Sequence, residues 1–258
     1  MIYIYIYIMK ILIIVASYKM DNKFNKTMET IQKKLISVLK KENNIVDICL
    51  VSSHNDHNNY KNIIGEIKYK VLSNKKQFGK IMDIFKLSEI KEYDWYIKLR
   101  PDIELYENID TEKILSCDEN KFNSRVRWYI GDHINVKYGT SHTFNKNDGW
   151  GESWIYNNNI NYIVPDDQIY IFNKNIINIF NTNNTENKIA NIYRYNYYNK
   201  PNNKWRMIKT DLKSLLNNGY NKLEDEWFHG DVLRYKGVQI NPIGLNVKLY
   251  VNSNDLIV

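Results

Sequence analysis

Short runs of apolar residues alternate along the first hundred residues with stretches in which apolar residues recur every three or four positions. The runs predict buried strands at residues 10–16, 46–51 and 95–99. The periodic stretches predict helices at residues 27–41, with Thr27 as the cap, and at residues 77–90. Strands and helices in alternation are typical of a parallel sheet. The sequence therefore predicts an α/β fold, with a mostly parallel central sheet flanked by helices in a single domain.

Patterning in the second half of the chain is weaker. Residues 111–116 predict a short helix. Residues 125–130 alternate basic and apolar side chains as an edge strand does, and their solvent-side arginines would line this edge or contact an anionic donor. A strand-like run ends near Pro165, and residues 169–180 then predict a helix. The last predicted elements are a helix at residues 223–235, stopped by Gly237, and a strand at residues 238–240.

Residues 1–8 alternate between isoleucine and tyrosine, which is the period of a strand. Lys10 interrupts the apolar stretch, and the run that follows has about half the length that a bilayer requires. We therefore expect an N-terminal extension over residues 1–8, a folded domain over residues 9–258, and no stable membrane span.

Composition and charge narrow the class of protein. The chain has 36 basic and 29 acidic residues and a net charge of +7, but the positive charge is scattered. Nucleic-acid binding needs a clustered positive face, so it is disfavoured, whereas a basic cleft would suit a nucleotide-diphosphate ligand. The two cysteines form neither a disulfide framework nor a metal-type pair. We therefore expect a reducing compartment, the cytoplasm of the producing or host cell.

The segment from Tyr93 to Leu105 joins a buried strand to a pair of acids. The strand must end at Arg100, because Pro101 cannot donate to a following ladder. Asp102 and Glu104 lie two residues apart, so in an extended segment their carboxylates project to one side and can converge on one cation. Open α/β sheets bind ligands at this end of their strands. The pattern indicates a clamp for a metal and a diphosphate, and its alternative is a solvated acidic turn.

Two motifs, in this order, resemble those of GT-A-type glycosyltransferases, especially the enzymes that decorate bacterial lipopolysaccharide and the glycans of large DNA viruses. The first is Tyr-Asp-Trp-Tyr-Ile-Lys-Leu-Arg-Pro-Asp-Ile, which starts at Tyr93. The second is Pro-Asp-Asp-Gln-Ile-Tyr-Ile, which starts at Pro165. The resemblance covers roughly residues 9–240, and it departs from the family where Glu104 stands in place of the final Asp of the usual triad.

The resemblance implies transfer of a hexosyl or deoxyhexosyl group from a nucleotide-diphosphate sugar, with UDP as the expected nucleotide, to a hydroxyl of a glycan acceptor. It implies a GT-A-like, Rossmann-like domain with a donor half at about residues 9–110 and an acceptor half at about residues 111–258. Mn²⁺ or Mg²⁺ would be held by Asp102 and Glu104, and Arg100 would orient or neutralise the same region or pair with an acid there.

Further donor contacts are expected at the carboxyl edge of the sheet, where the nucleotide base and ribose would bind. These are Ala16, Ser17 and Tyr18 after the first strand and Ser52 and Ser53 after the second. Gln77 and Lys80 resemble positions that meet the donor, and the lysine could neutralise a diphosphate. Their alternative is an exposed helix surface.

On the acceptor side, the resemblance points to Asp167, with Asp166 as the second candidate. If the reaction inverts the anomeric configuration, this aspartate would be the general base. If the reaction retains that configuration, the aspartate would position the acceptor. The alternative to both roles is a helix cap. Residues 147–154 combine glycines with two tryptophans and would suit an acceptor-sugar platform or a buried packing cluster. His229 is a weaker candidate for a third metal ligand.

Two other classes of protein stay open. One is a catalytically inactive GT-A-like protein that binds glycans, since a fold does not guarantee an activity. The other is a basic nucleic-acid-binding protein with interspersed aromatic residues.

Overall fold

The computed structural model describes residues 8–17, 19, 22–55, 57–75, 77–130, 162–180, 229, 233 and 236–249. Its strands are β1 (Lys10–Ala16), β2 (Ile45–Ser52), β3 (Tyr69–Leu72), β4 (Trp95–Leu99), β5 (Ile103–Leu105), β6 (Phe122–Ile130), β7 (Tyr162–Asn173), β8 (Ile240–Pro242) and β9 (Val247–Leu249). Its α-helices are α1 (Asn25–Ile31), α2 (Ser37–Lys41), α3 (Lys61–Ile64), α4 (Gln77–Ile84) and α5 (Thr111–Leu115). The predictions for residues 1–7, Tyr18, 147–154 and most of 223–235 lie outside the described residues.

Seven of the described strands form one sheet in the order β3-β2-β1-β4-β7-β6-β8. The first four are mutually parallel, β7 runs antiparallel to both of its neighbours, and β8 is parallel to β6. Strands β5 and β9 pair separately as an antiparallel ribbon. The predicted α/β class with a mostly parallel sheet is confirmed, and the order is compatible with a Rossmann-like fold.

Helices cover both faces of this sheet, because its central strands bury side chains in both directions. On one face, the helical segment between β1 and β2 contributes Met28, Ile31 and Leu35 to one apolar cluster. On the other face, α4 contributes Phe78 and Ile81 to a second cluster. None of the helices in the described ranges is long and apolar enough to cross a bilayer.

The first helical segment starts earlier than its pattern suggests. A 3₁₀ turn at Asn22–Phe24 leads into α1, and a π-helical turn at Gln32–Ile36 leads into α2. Thr27 is therefore inside the helix and is not its cap. Its buried hydroxyl donates instead to the main-chain oxygen of Pro101, and this bond ties the helix to the turn after β4.

Three predicted elements have different bounds or surroundings in the structure. Helix α4 ends at Ile84, and a separate 3₁₀ turn at Ser88–Glu92 follows it. The helix expected at residues 169–180 is wrong over its first part, because β7 continues to Asn173 and its residues 169–173 pair with β4; a 3₁₀ helix follows at Lys174–Phe180. The prediction that Arg125 lies on the solvent side of an edge strand is also wrong. Strand β6 lies between β7 and β8, and the Arg125 side chain is buried against Gln168.

The end of the chain agrees better with its pattern. Gly237 has a φ of 71°, a left-handed value that suits glycine, and the Val238 N–H donates to the Leu233 oxygen at 2.9 Å. Leu233 is helical and Lys236 and Gly237 form a turn, as the predicted stop at Gly237 requires. The strand after it begins at Ile240, two residues later than expected.

The path of the chain creates a crevice beside β1. After β1 the chain builds β2 and β3 on one side, then passes through α4 and returns on the other side of β1 as β4. Where the chain leaves two adjacent parallel strands in opposite directions, the loops after them separate. A crevice then remains at the carboxyl ends of the two strands. A ligand-sized gap is therefore expected between the end of β1 and the end of β4.

Candidate functional site

A cavity of about 260 Å³ lies at this gap between β1 and β4. The residues around it come from the end of β1, from the turn before α1, from the first residue of α4 and from the turn after β4. They are Ala16, Ser17, Lys19, Lys23, Phe24, Gln77, Arg100, Pro101 and Asp102.

Several of the residues predicted from the sequence are brought together here. Ala16, Ser17, Gln77, Arg100 and Asp102 all line the cavity. They come from three separate segments of the chain, which meet only because β4 returns beside β1. Tyr18 lies outside the described residues.

The β1 side of the cavity is fixed by hydrogen bonds. The Ser17 N–H extends the sheet by donating to the Val51 oxygen at 2.9 Å, and the Ser17 hydroxyl donates to the Lys19 oxygen at 2.7 Å. Gln77 donates its amide N–H to the Ala16 oxygen at 3.2 Å. The Gln77 side chain is only 9% exposed, and within the described part of the chain its amide oxygen accepts no hydrogen bond. Because this oxygen is itself buried, it is a polar group within the cavity wall and not an open contact point.

On the β4 side, Arg100 joins two carboxylates. Its Nε and Nη2 donate to the two oxygens of Asp102 at 2.9 and 2.6 Å, and its Nη1 donates to Oδ2 of Asp167 at 3.0 Å. Burial by itself would lower the pKa of Arg100, but the hydrogen bonds and charges of the two aspartates outweigh it and raise that pKa. The guanidinium therefore stays charged and holds both acids in a fixed planar geometry.

Asp167 is also held through its main chain. Lys98, two residues before Arg100 on β4, is fully buried and donates its amino group to the Asp167 main-chain oxygen. The same amino group lies 4.7 Å from the centre of the Tyr170 ring. Asp167 does not line the cavity itself, but it is bonded to Arg100, which does. Asp166 lies beside it on β7.

The two acids predicted to share a metal make different contacts. Both oxygens of Asp102 accept from Arg100, and Asp102 belongs to the turn before β5, not to an extended segment. Glu104, within β5, accepts from the Tyr106 hydroxyl at 3.1 Å. In the ranges that the structure describes, no group of three His, Cys, Asp or Glu side chains could hold a metal ion. These residues therefore do not fit an Mn²⁺ or Mg²⁺ site as they stand, and the metal stays a prediction.

His229 lies in an aromatic environment. Its ring is fully buried, stacks on Phe78 with centroids 4.0 Å apart, and meets Phe122 edge-on at 4.6 Å. Burial, and then the charge of Lys98, lowers its pKa well below the usual value. The structure thus places this histidine, as a neutral ring, against the aromatic residues of the core.

Ser52 and Ser53 lie at the end of β2 and Lys80 lies in α4, and the described lining of the cavity includes none of them. The amino group of Lys80 is fully buried and donates to the Ser53 hydroxyl at 3.0 Å and to the main-chain oxygens of Ser73 and Lys75 at 2.6 Å each. These bonds join the ends of β2 and β3 to α4. Lys80 is therefore surrounded by protein oxygens at the position where a diphosphate contact was expected.

Lys80→Met tests which of these two descriptions holds. We expect the variant to lose about 2–4 kcal/mol of unfolding free energy, because three buried hydrogen bonds of a charged donor disappear. Urea denaturation measures this loss, with the exposed Lys91→Met as the matched control. Weaker nucleotide binding in a variant of unchanged stability would instead assign Lys80 to the ligand.

Three residues of the cavity were missed by sequence reasoning: Lys19, Lys23 and Phe24. Their positions give the signal: Lys19 lies three residues beyond β1, and Lys23 and Phe24 lie in the turn that joins β1 to α1, after a strand end that is expected to bind a ligand. Residues just beyond such a strand are as close to the ligand as the strand end itself.

Comparison with known protein families found no family model that matches this chain, and a search of curated proteins found no match.

Proposed function

We propose that this chain is a glycosyltransferase with a GT-A-like fold, which transfers a sugar from a nucleotide-diphosphate donor to a hydroxyl group of a glycan. The observation that carries the proposal is the cavity between β1 and β4, lined by Ser17, Gln77, Arg100 and Asp102. Nucleotides bind open α/β sheets at this position, where the strand order reverses. The resemblance implies donor-side roles for Gln77 and Arg100, the acid pair predicts Asp102 as a metal ligand, and the end of the first strand predicts Ser17.

The cavity is suited to part of such a donor. Its volume of about 260 Å³ is close to the lower end, roughly 300 Å³, of pockets that enclose small ligands. Phe24 contributes an apolar ring to the lining, Gln77 contributes a polar amide side chain, and Lys19 and Lys23 contribute positive charge. A base, a ribose and a diphosphate need these three kinds of contact. The sugar would then extend beyond Arg100.

Asp167 is the candidate for the second chemical task. In an inverting transfer, the acceptor oxygen forms a bond to the anomeric carbon while the bond between that carbon and the diphosphate oxygen breaks. The proton of the acceptor hydroxyl must leave, and a carboxylate can accept it. Asp167 is held near the cavity by Arg100 and Lys98. In a retaining transfer the same carboxylate would orient the acceptor.

A thermal-shift screen tests the proposal. The purified full chain is melted with UDP, GDP, CMP and their sugars, each with and without Mn²⁺. A ligand present at about a hundred times its dissociation constant stabilises the folded state by about 2.7 kcal/mol, which corresponds to a rise of about 5–10 °C in Tm for a chain of this size. Gln77→Ala should reduce the shift, whereas Gln32→Ala, outside the cavity lining, should not.

Failure of every nucleotide to shift a cooperative melting transition would contradict the proposal. In that case an inactive glycan-binding protein would be the better description, and shifts with free glycans would test it. Tight DNA or RNA binding that weakens steeply with salt would instead favour the nucleic-acid class. The free, buried cysteines Cys49 and Cys117 are consistent with the cytoplasm as the proposed location.

A further inference from the structure

We infer that Arg125 is a positioning residue, which acts through Gln168 to fix a bulge in β7 (residues 166–169) and so directs Asp167 toward the site. The inference rests on the proposed function, since it concerns how the carboxylate proposed to act on the acceptor is held in place. Arg125 is only 8% exposed, and burial of a charged group is unfavourable unless hydrogen bonds compensate for it. The partners of Arg125 therefore indicate its role.

Strand β7 departs from its ladder with β6 at the position of Arg125. Between two paired positions, β6 has only residue 125, whereas β7 has the four residues 166–169. The flanking pairs are Ser124 with Tyr170 and Val126 with Pro165. A bulge bends its strand, takes residues out of the ladder, and is frequent beside active sites, where it redirects a side chain. Asp167 lies in this bulge, so the direction of its carboxylate depends on how the bulge is held.

Residues at the end of β4 hold one side of the bulge. The Arg100 main-chain N–H donates to the Gln168 main-chain oxygen at 3.0 Å, and Nη1 of Arg100 donates to the Asp167 carboxylate, also at 3.0 Å. Lys98 donates its amino group to the Asp167 main-chain oxygen. Because a bulge removes main-chain groups from the ladder, a buried oxygen there needs a donor of another kind. The buried lysine supplies it.

Arg125 holds the opposite side. Its Nη1 donates to Oε1 of Gln168 at 3.0 Å and to the Val247 main-chain oxygen at 3.2 Å. Gln168 is itself only 5% exposed. Val247 begins β9, which pairs with β5, the strand that follows Asp102. One guanidinium nitrogen therefore joins the bulge that contains Asp167 to the ribbon next to Asp102.

This arrangement separates the rate of transfer from donor affinity. Neither Arg125 nor Gln168 belongs to the described lining of the cavity, so loss of their bond leaves the described donor contacts in place. The same loss would let the Asp167 carboxylate shift, and a displacement of about 1 Å at a reacting group can lower a rate about a hundredfold. A guanidinium directs two N–H groups in fixed directions, which a lysine amino group does not.

Hydrogen exchange tests the hold on the bulge without any ligand. Arg125→Lys keeps the charge but loses the fixed donor geometry, and Gln168→Met removes the acceptor of the same bond. In both variants the amides of residues 166–169 should exchange about tenfold faster than in the unmodified chain, whereas those of β1 should not change. Gln32→Met, the same substitution in the helical segment between β1 and β2, is the matched control. Melting curves of each variant establish that the fold is intact.

Sugar transfer tests the consequence for the reaction. The donors are the UDP-, GDP- and CMP-sugars of the thermal-shift screen, with a glycan acceptor. We expect Arg125→Lys and Gln168→Met to lower kcat about a hundredfold and to leave the donor KM within about threefold of its original value. Either substitution should have little further effect in an Asp167→Asn background, because both act through this carboxylate.

The possible failures are distinguishable. Unchanged exchange in the bulge, an unchanged kcat, or equal losses with and without Asp167→Asn would each overturn the inference and leave the proposed function standing. A chain that transfers sugar from none of these donors and is stabilised by none of the nucleotides would overturn the inference together with the function on which it rests.

Discussion

Replacing Arg100 with methionine is expected to lower the free energy of unfolding by about 3 kcal/mol. Methionine has a similar length but no charge, so the variant leaves Asp102 and Asp167 close together without the cation between them. The Asp167 side chain is only 9% exposed, so solvent compensates little. Removing one partner of a buried ion pair typically costs about 3–5 kcal/mol, and the partial exposure of Arg100 favours the lower end. Urea denaturation at neutral pH measures the loss.

A matched ion pair at the surface provides the control. Lys174 pairs with Asp94 at 2.9 Å, but its side chain is 54% exposed, so Lys174→Met should cost less than about 1 kcal/mol. Adding Asp167→Asn to Arg100→Met should recover part of the loss, because one uncompensated carboxylate is gone. If Arg100→Met and the unmodified protein unfold at the same urea concentration, Arg100 does not stabilise this site.

Asp167→Asn should reduce sugar transfer by about a hundredfold to ten-thousandfold while leaving nucleotide affinity within a few fold. The amide has nearly the same shape as the carboxylate but cannot accept the acceptor proton, and general-base catalysis contributes this range. The measurement is kcat/KM for transfer to a glycan acceptor, with the donor identified by the nucleotide screen. The dissociation constant for the nucleotide is measured in parallel.

Asp166→Asn is the matched control for this experiment, because it makes the same chemical change one residue earlier on β7. We expect the larger loss of sugar transfer in Asp167→Asn. A larger loss from Asp166→Asn would move the role to that residue. Full transfer activity in both variants would remove the general-base role from this segment of the chain.

Strands with clear boundaries in the sequence could be predicted closely. β1 and β4 have the predicted bounds, because Lys10 marks the start of one and Pro101 limits the other. The extent of β7 could not be predicted from periodicity. Ile169 and Ile171 pack into one apolar cluster while Tyr170 and Phe172 pack into the other. A strand buried on both faces reads as a continuous apolar run, which periodicity alone does not distinguish from a buried helix.

For the site, the residues at strand ends could be predicted from the sequence, but the contacts between distant segments could not. Ala16, Ser17 and Arg100 were found because strand ends at one edge of a parallel sheet converge. The bond from Arg100 to Asp167 spans 67 positions and depends on how β7 pairs with β4. Burial of Lys98 depends on the same pairing. These contacts follow from the register between two distant strands, and no spacing within either segment encodes them.

The position of β7 beside β4 also affects how the chain folds during synthesis. All four parallel strands lie before Arg100, so they can pair as soon as β4 has been made. The edge of β4 that pairs with β7 stays uncovered until β7 has been synthesised, since Lys98 and Asp167 are separated by 69 positions. At a translation rate of roughly 5–20 residues per second, this edge stays open for about 3–14 s. A nascent chain that stalls in this interval would expose an apolar strand edge, the surface that chaperones bind and that neighbouring chains join in aggregation.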